Sequence, residues 1–183
     1  IATLQTIRDF PQADGERFVV MGTRRGIVKK TDLRAFRHPR ADGIIAARVR
    51  SDDAVVGAEL SDGKGQVLLG TREGKAIRFS EENVRPTGRM TFGVRGIRLR
   101  NGDQVVAMAV VRPGGTLLSV TENGYGKRTP IEEYRVQSRG GVGIINIHAS
   151  DRNGPVVGVE YIDDEENEVM IITQQGKVLR TEA

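Results

Sequence analysis

The sequence predicts an all-β protein built from tandem four-stranded units, in a propeller-like array. One pattern recurs four times, at FVVMGTRRGIVKKT (18–31), VLLGTREGKAIRF (67–79), LLSVTENGYGKRT (117–129) and VMIITQQGKVLRT (169–181). Glycine is abundant, at 23 of 183 residues, as expected for short strands joined by tight turns. No long window shows helical periodicity. Four strands in each repeat of about 50 residues are typical of propeller blades.

Each repeated segment predicts a β-hairpin. An apolar run is followed by a threonine, two polar residues and a glycine, which takes the turn position that favours positive φ. The turn glycines lie 48, 50 and 52 residues apart and are Gly26, Gly74, Gly124 and Gly176. A cation follows each glycine by four positions, and these cations are Lys30, Arg78, Arg128 and Arg180.

Between the hairpins, further strands and two helical turns are expected. A longer strand precedes each hairpin, at Ile1–Ile7, Ala54–Leu60, Val105–Val111 and Val156–Ile162. A short strand opens at Gly43-Ile44, Gly96-Ile97 and Gly143-Ile144. Single helical turns fit Glu81–Val84 and Ile131–Tyr134.

The repeats divide the chain into approximate units 1–52, 53–103, 104–153 and a truncated 154–183. We expect the chain to be a piece of a longer array, since it begins with Ile1 and the fourth unit lacks its last strand. Unpaired strand edges are a liability. Neighbouring sequence, or strands exchanged between blades, should therefore cover them.

The charge distribution points to a polyanionic partner. Residues 1–100 hold 20 Lys/Arg and 12 Asp/Glu, a balance of +8, whereas residues 101–183 hold 8 and 12, a balance of −4. Arginine supplies 22 of the 28 cations, and its planar guanidinium suits phosphate contacts. A basic first half is typical of nucleic-acid binding, although the same charges also suit a solvated surface.

Particular residues within the repeats resemble a known family. The stretches that carry the resemblance are GTRRGIVKKTDLRAF, NVRPTGRMTFGVRGIRL, RTPIEEYRVQSRGGVGIINI and ASDRNGPVVGVEY. They resemble the C-terminal region of DNA gyrase A subunits, and the resemblance extends from about residue 1 to residue 181. It implies a β-pinwheel, in which neighbouring blades exchange strands and double-stranded DNA wraps around a positive outer rim. The resemblance also implies a domain of an ATP-dependent isomerase that acts on the nucleoid in the cytoplasm. Its protein partners would be the B subunit and the rest of the A subunit.

The family's seven-residue box, Q-R-R-G-G-K-G, has a degenerate counterpart here. Gln137, Ser138, Arg139, Gly140, Gly141, Val142 and Gly143 match it at five positions, with Ser138 and Val142 in place of basic residues. In the family the true box lies in the first blade, so this chain resembles the later blades. We interpret Gln137–Gly143 as a glycine-rich turn between blades, in which Arg139 alone is a candidate DNA contact.

Wrapping requires a continuous positive track, since sequence-independent binding comes from neutralising many phosphates. The candidate DNA contacts lie on the hairpins and on the loops that follow them. They are Arg24, Arg25, Lys29, Lys30, Arg37, Arg40, Arg72, Lys75, Arg78, Arg85, Arg89, Arg95, Arg98, Lys127, Arg128, Arg139, Lys177 and Arg180. The acidic run at 163–168 is expected to be a solvated loop, or alternatively a segment that repels DNA and ends its path.

The sequence carries no sign of catalysis, cofactor or membrane span. It has no cysteine and only His38 and His148 as histidines, so no catalytic residue, metal site or cofactor is predicted. No apolar stretch is long enough to cross a bilayer.

Two other functions stay open. One is the C-terminal domain of a topoisomerase IV A subunit, and the other is a propeller-like scaffold that binds proteins. The scaffold predicts an exposed apolar patch in place of a basic rim.

Overall fold

A computed structural model describes residues 2–12, 16–100, 102–163 and 168–182. These residues form thirteen β-strands and three 3-10 turns, and no α-helix occurs within them. The strands are β1 (Phe18–Thr23), β2 (Ile27–Asp32), β3 (Val55–Ser61), β4 (Gln66–Thr71), β5 (Lys75–Ser80), β6 (Val94–Arg95), β7 (Val105–Val111), β8 (Thr116–Thr121), β9 (Gly126–Pro130), β10 (Ile144–Ile145), β11 (Val156–Ile162), β12 (Glu168–Ile172) and β13 (Val178–Glu182). The predicted all-β, propeller-like class is confirmed.

All four predicted hairpins are present. They pair β1 with β2, β4 with β5, β8 with β9 and β12 with β13, each antiparallel. The four turn glycines have φ between 77° and 83°, a conformation that only glycine adopts without strain. In each turn the glycine N–H donates to the carbonyl of the threonine three residues earlier, at 2.9–3.0 Å. The recurring threonine-to-glycine spacing thus closes each hairpin.

The sheets are completed by strands from the following repeat. The first sheet has the order β3-β1-β2-β6 and the second the order β10-β5-β4-β7. The third holds β11-β8-β9 and the fourth β12-β13 among the described residues. Strand β6 follows the second hairpin in sequence yet pairs with β2 of the first, and β10 follows the third hairpin yet pairs with β5 of the second. The prediction that exchanged strands cover the sheet edges is confirmed at these two places.

One predicted short strand is observed at a different position in the sequence. The prediction began this strand at Gly96-Ile97, but the strand is Val94–Arg95. In the pairing with the preceding hairpin, Val94 takes the position that Ile144 takes one repeat later. The sequence-based alignment matched one Gly-Ile pair to another and was therefore three residues out of register.

Two other predicted strands are absent, whereas the helical turns are confirmed. Residues 2–7 form no strand and are exposed. Gly43-Ile44 forms no strand either, and no described strand pairs with it. The helical turns are 3-10 turns at Glu81–Asn83 and Ile131–Glu133, and a third, unpredicted one spans Leu33–Phe36. Most of the acidic run, residues 164–167, lies outside the described residues.

The core lies between neighbouring sheets. Strands β3, β7 and β11 form the inner edges of their sheets and pack side by side. One cluster of buried residues joins the first two sheets through Val28, Leu69, Phe79 and Ile97. A second cluster joins the second and third sheets. Each blade therefore depends on its neighbour to bury its faces.

Glu59 is a charged group on an inner strand. Burial raises the pKa of its carboxyl above the ordinary 4.5, the backbone N–H of Val110 opposes that rise, and the negative charge of Glu160 adds to it. The Val110 N–H donates to Glu59 Oε2 at 2.8 Å. A raised acid pKa means that the folded state loses stability as the pH rises through the folded pKa.

We expect Glu59→Gln to raise the melting temperature at about pH 7, because the amide keeps an acceptor for Val110 and removes the buried charge. The gain should shrink as the pH falls towards about 4, where the native carboxyl is protonated. Thermal unfolding across this pH range is the measurement, and Glu82→Gln at an exposed position is the control. A gain of equal size at every pH would contradict the assignment.

Candidate nucleic-acid interface

The exchanged strands create a second edge, opposite the inner strands. Before each exchanged strand the chain bulges away from the preceding hairpin. The bulge opens where Thr87 N–H donates to Lys30 O at 2.9 Å, and in the next repeat where Gln137 N–H donates to Arg78 O at 2.8 Å. It closes at β6 and β10. We name residues 87–93 and 137–143 the rim turns, and the rim turns together with β6 and β10 the rim.

Close backbone packing fixes the end of each rim turn. A Cβ at Gly93 would lie 2.3 Å from the carbonyl oxygen of Val28, and a Cβ at Gly143 would lie 2.5 Å from that of Ala76. These glycines are fifty positions apart, and each packs closely against a carbonyl oxygen of the preceding hairpin. The box-like segment Gln137–Gly143 is therefore a blade-linking turn, and 87–93 is its counterpart.

Arginines link successive rim segments to each other. Arg89 Nη1 donates to Ile45 O at 3.1 Å, and Arg139 Nη1 donates to Arg95 O at 3.2 Å, so the same contact recurs one repeat later. Arg139 Nε also donates to Asn83 O at 2.9 Å. We interpret both guanidiniums chiefly as links between blades, although Arg139 remains exposed.

The cations four residues after the turn glycines do not form the outward-facing track that the sequence predicted. Lys30 and Arg78 are only 4% and 6% exposed. Lys30 Nζ donates to Glu81 O at 3.1 Å and lies 3.4 Å from Glu81 Oε1. Arg78 Nη1 donates to Ile131 O at 2.5 Å and to Tyr134 O at 3.1 Å. Both cations reach the 3-10 turn of the next blade, so both hold blades together.

The repeat period identified equivalent positions but not their orientation. Strand β5 has blades on both sides, whereas β2 has the second blade on one side and the segment that contains Ala46 on the other. Four consecutive residues of each strand are buried, so strand alternation exposes neither set of side chains. The equivalents Arg128 and Arg180 are exposed. Their Nε atoms donate to Thr116 Oγ1 at 2.7 Å and to Glu168 Oε2 at 2.6 Å.

Lys29 is a third predicted DNA contact that is buried, at 3% exposure. Its ammonium donates to the Thr31 hydroxyl and lies 3.4 Å from Ala46 O. Burial lowers the pKa of this ammonium below its usual 10.5, and the charge of Arg89 adds to that effect. Lys29 therefore contacts its own blade and cannot contact DNA in this conformation.

The other predicted cations are partly buried or exposed. Lys75 and Arg89 are partly buried. The exposed ones are Arg24, Arg25, Arg37, Arg40, Arg72, Arg85, Arg95, Arg98, Lys127, Arg128, Arg139, Lys177 and Arg180.

The densest group of these cations lines a groove where the first hairpin turn meets the second blade. The groove encloses about 730 Å³, and six arginines line it: Arg24, Arg25, Arg50, Arg95, Arg98 and Arg100. Its three acidic residues already have partners within the chain. Asp52 pairs with Arg25, Asp53 accepts from the Arg25 N–H, and Asp103 accepts from the Glu73 N–H.

The groove therefore carries an excess of positive charge, with six arginines and three aspartates. Arg50, Arg95, Arg98 and Arg100 are exposed and form no ion pair with the described residues. A concave surface with an excess of guanidiniums attracts phosphate.

The corresponding groove one blade later is far less basic. Its lining includes Arg72 but also Glu73, Glu122 and Asp151. At the positions of Arg95, Arg98 and Arg100 the next repeat carries Ile145, His148 and Ser150. Positive charge is therefore concentrated between the first and second blades.

The sequence analysis missed two of the groove residues. Arg50 and Arg100 lie fifty positions apart, just before the acidic turns that cap the hairpins. The repeat period was the signal that could have found them.

This architecture and the repeat pattern match one protein family along most of the chain. The family model described as the DNA gyrase C-terminal domain, β-propeller, matches residues 17–62, 65–112, 115–163 and 167–183. The chain belongs to the DNA gyrase C-terminal domain family.

Curated relatives support the same assignment. The chain is 45% identical over 163 residues to the DNA gyrase A subunit of Salmonella typhimurium, and the match covers 89% of the chain and 18% of that protein. It is 41% identical over 182 residues to the DNA gyrase A subunit of Staphylococcus aureus, and this match covers 98% of the chain and 20% of that protein. The chain thus spans about a fifth of the length of these relatives.

Solved structures agree on the fold. The C-terminal domain of DNA gyrase A superposes with a TM-score of 0.84 at 27% identity, over 96% of this chain and 58% of that one. The C-terminal domain of a DNA topoisomerase IV superposes with a TM-score of 0.87 at 24% identity, over 96% and 54%. The second likeness concerns the fold alone. In the part of the chain that the structure describes, no helix is long and apolar enough to cross a membrane.

Arg78→Met tests whether the buried cation is structural. The substitution leaves the carbonyls of Ile131 and Tyr134 without their donor, so we expect a loss of about 3 kcal/mol in the free energy of unfolding. Arg128→Met at the equivalent exposed position should cost less than about 1 kcal/mol. Urea unfolding measures both. Equal losses, or a loss of DNA affinity by folded Arg78→Met protein, would assign Arg78 to the surface instead.

Proposed function

We propose that this chain binds duplex DNA without regard to sequence and bends it along the rim, as a non-catalytic domain of a gyrase A subunit. The observation that carries the proposal is the basic groove. It holds six arginines and three aspartates beside a rim that continues from blade to blade. Membership of the gyrase C-terminal domain family supports the same conclusion.

The shape of the surface suits an extended polyanion better than a small ligand. The groove is open, and its basic residues come from the first hairpin turn, from the segment before β3, from β6 and from the segment after β6. Phosphate contacts of this kind position DNA without reading its bases. Bending a duplex costs several kcal/mol by elastic arguments, so the contacts must be distributed over more than one blade. The repeated rim provides such a distribution.

The proposal extends to the rest of the enzyme. The chain would hold one segment of DNA while the B subunit, with the remainder of the A subunit, performs strand passage and ATP hydrolysis. It would do so on chromosomal DNA in the cytoplasm, and wrapping would bias the enzyme towards negative supercoils. The identity of the relatives, which are A subunits of DNA gyrase, supports these partners.

The uneven charge favours a particular path for the DNA. The strongest contacts would lie between the first and second blades, where the arginines of the groove cluster. Weaker contacts would follow through Arg139 in the second rim turn and through Arg135 just before it, both of which are exposed. The acidic surroundings of the next groove would end the contact.

Charge removal within the groove should lower both affinity and its dependence on salt. We expect Arg98→Gln with Arg100→Gln to reduce the slope of log K against log salt by about two, since each lost phosphate contact removes about 0.9. The matched control is Lys64→Gln with Arg112→Gln, which removes the same charge from the opposite ends of the strands. Fluorescence anisotropy with a labelled linear duplex at several salt concentrations is the measurement. Equal slopes for the two double variants would move the contact surface elsewhere.

A further inference from the structure

Two large apolar side chains project from the first rim turn. Met90 is 50% exposed and Phe92 is 55% exposed. Among the described residues Phe92 is the most exposed aromatic side chain. Exposing such side chains costs free energy unless they meet a partner.

The fold itself does not require these residues. One repeat earlier the same positions hold Arg40 and Asp42, and one repeat later they hold Gly140 and Val142. The turn is instead held by polar contacts, in which Thr91 Oγ1 donates to Gly88 O at 2.8 Å and lies 3.0 Å from Thr87 Oγ1. The Thr91 carbonyl accepts from the Arg48 N–H at 3.1 Å. Polar contacts thus anchor the turn from which Met90 and Phe92 project.

The surrounding charge indicates what they meet. From Val84 to Arg100 the chain carries five arginines and no carboxylate. Of these, Arg85, Arg95, Arg98 and Arg100 are exposed on both sides of the turn. An apolar protein surface would gain little binding free energy from these flanking positive charges, whereas a phosphate backbone would be attracted by all of them.

We propose that Met90 and Phe92 form a wedge that enters the minor groove of bound duplex DNA and partly unstacks one base step. The inference rests on the proposed function and deepens it. Proteins that bend DNA insert apolar side chains such as phenylalanine and methionine between base pairs and thereby kink the duplex. The flanking arginines would hold the two phosphate backbones while the rigid turn presents the wedge.

The wedge explains how a short arc of rim can bend a stiff polymer. A localised kink at one flexible step costs less than smooth bending over the same length, and pyrimidine–purine steps kink most easily. The wedge would therefore introduce a mild preference for TA or CA steps at one point of an otherwise sequence-independent path.

The test compares the double variant that carries both Met90→Ala and Phe92→Ala with the unmodified chain. The probe is a short duplex with a single central TA step whose adenine is replaced by 2-aminopurine, and with a dye pair on its two ends. Emission of 2-aminopurine rises when the base unstacks, and energy transfer between the dyes reports the bend. Val157→Ala with Met170→Ala removes apolar side chains of similar exposure, 53% and 62%, from strands outside the rim and is the matched control.

The unmodified chain and the control should raise both signals at saturation. The double rim variant should bind about tenfold more weakly, with both signals close to those of free DNA. Its salt slope should be unchanged, because no phosphate contact is lost. Phe92→Leu, which keeps an apolar side chain at the tip, should restore most of the bend.

Three results would overturn the wedge. The first is saturating binding by the unmodified chain with no rise in 2-aminopurine emission. The second is a double rim variant that bends the probe as the control does. The third is a double rim variant that matches the unmodified chain on DNA but loses association with the rest of the gyrase enzyme, since that would assign Met90 and Phe92 to a protein partner. Absence of any duplex binding by the unmodified chain would instead defeat the proposed function itself.

Discussion

The exchange of short strands between neighbouring sheets is the constraint on which the rest of the molecule depends. Strand β6 completes the first sheet and β10 the second, although each belongs to a later part of the chain. This exchange brings the rim turns to the outer edge, and it also carries the chain on past the hairpin turns, where Arg98 and Arg100 line the basic groove. Hydrogen bonds from Lys30 and Arg78 to the next blade reinforce the same junctions. One topological device thus fixes both the stability of the array and the position of its charges.

Local features of the fold could be predicted from the sequence because local chemistry determines them. The turn glycines require positive φ, so each hairpin followed from its own few residues. Pairing between repeats could not be predicted so directly. Gly96-Ile97 and Gly143-Ile144 have the same sequence. The structural equivalent of Gly143, which packs against Ala76 O, is nevertheless Gly93, which packs against Val28 O. Only the hydrogen-bonded register distinguishes these two alignments.

For the candidate site, too, the sequence predicted some features and not others. The concentration of arginine in the first half of the chain predicted which part is basic, and Arg24, Arg95 and Arg98 do line the groove. The prediction that Lys30 and Arg78 face DNA was wrong, because both side chains are buried and donate hydrogen bonds to the next blade. A cation at a repeated position can bind a ligand, or it can donate hydrogen bonds to the next blade and so stabilise the array. Burial decides between these two roles, and the sequence pattern does not contain it.

The decline in positive charge from the first groove to the second gives the surface a direction. Arginines at three groove positions are replaced by isoleucine, histidine and serine one repeat later, while the backbone geometry is kept. The fold is therefore repeated and the electrostatics are not. In the proposed binding mode, a duplex that follows the rim would meet the basic groove and the exposed Phe92 first, and then a less basic surface.

The proposed wrapping of DNA along the rim is tested most directly by relaxing a closed plasmid with a nicking-closing enzyme in the presence of the chain. If the DNA wraps with one hand, the topoisomer distribution should shift in one direction. The shift should grow with the ratio of protein to DNA and disappear at high salt, where phosphate contacts are lost. A chain that retards the plasmid on a gel yet leaves the topoisomer distribution unchanged would contradict it.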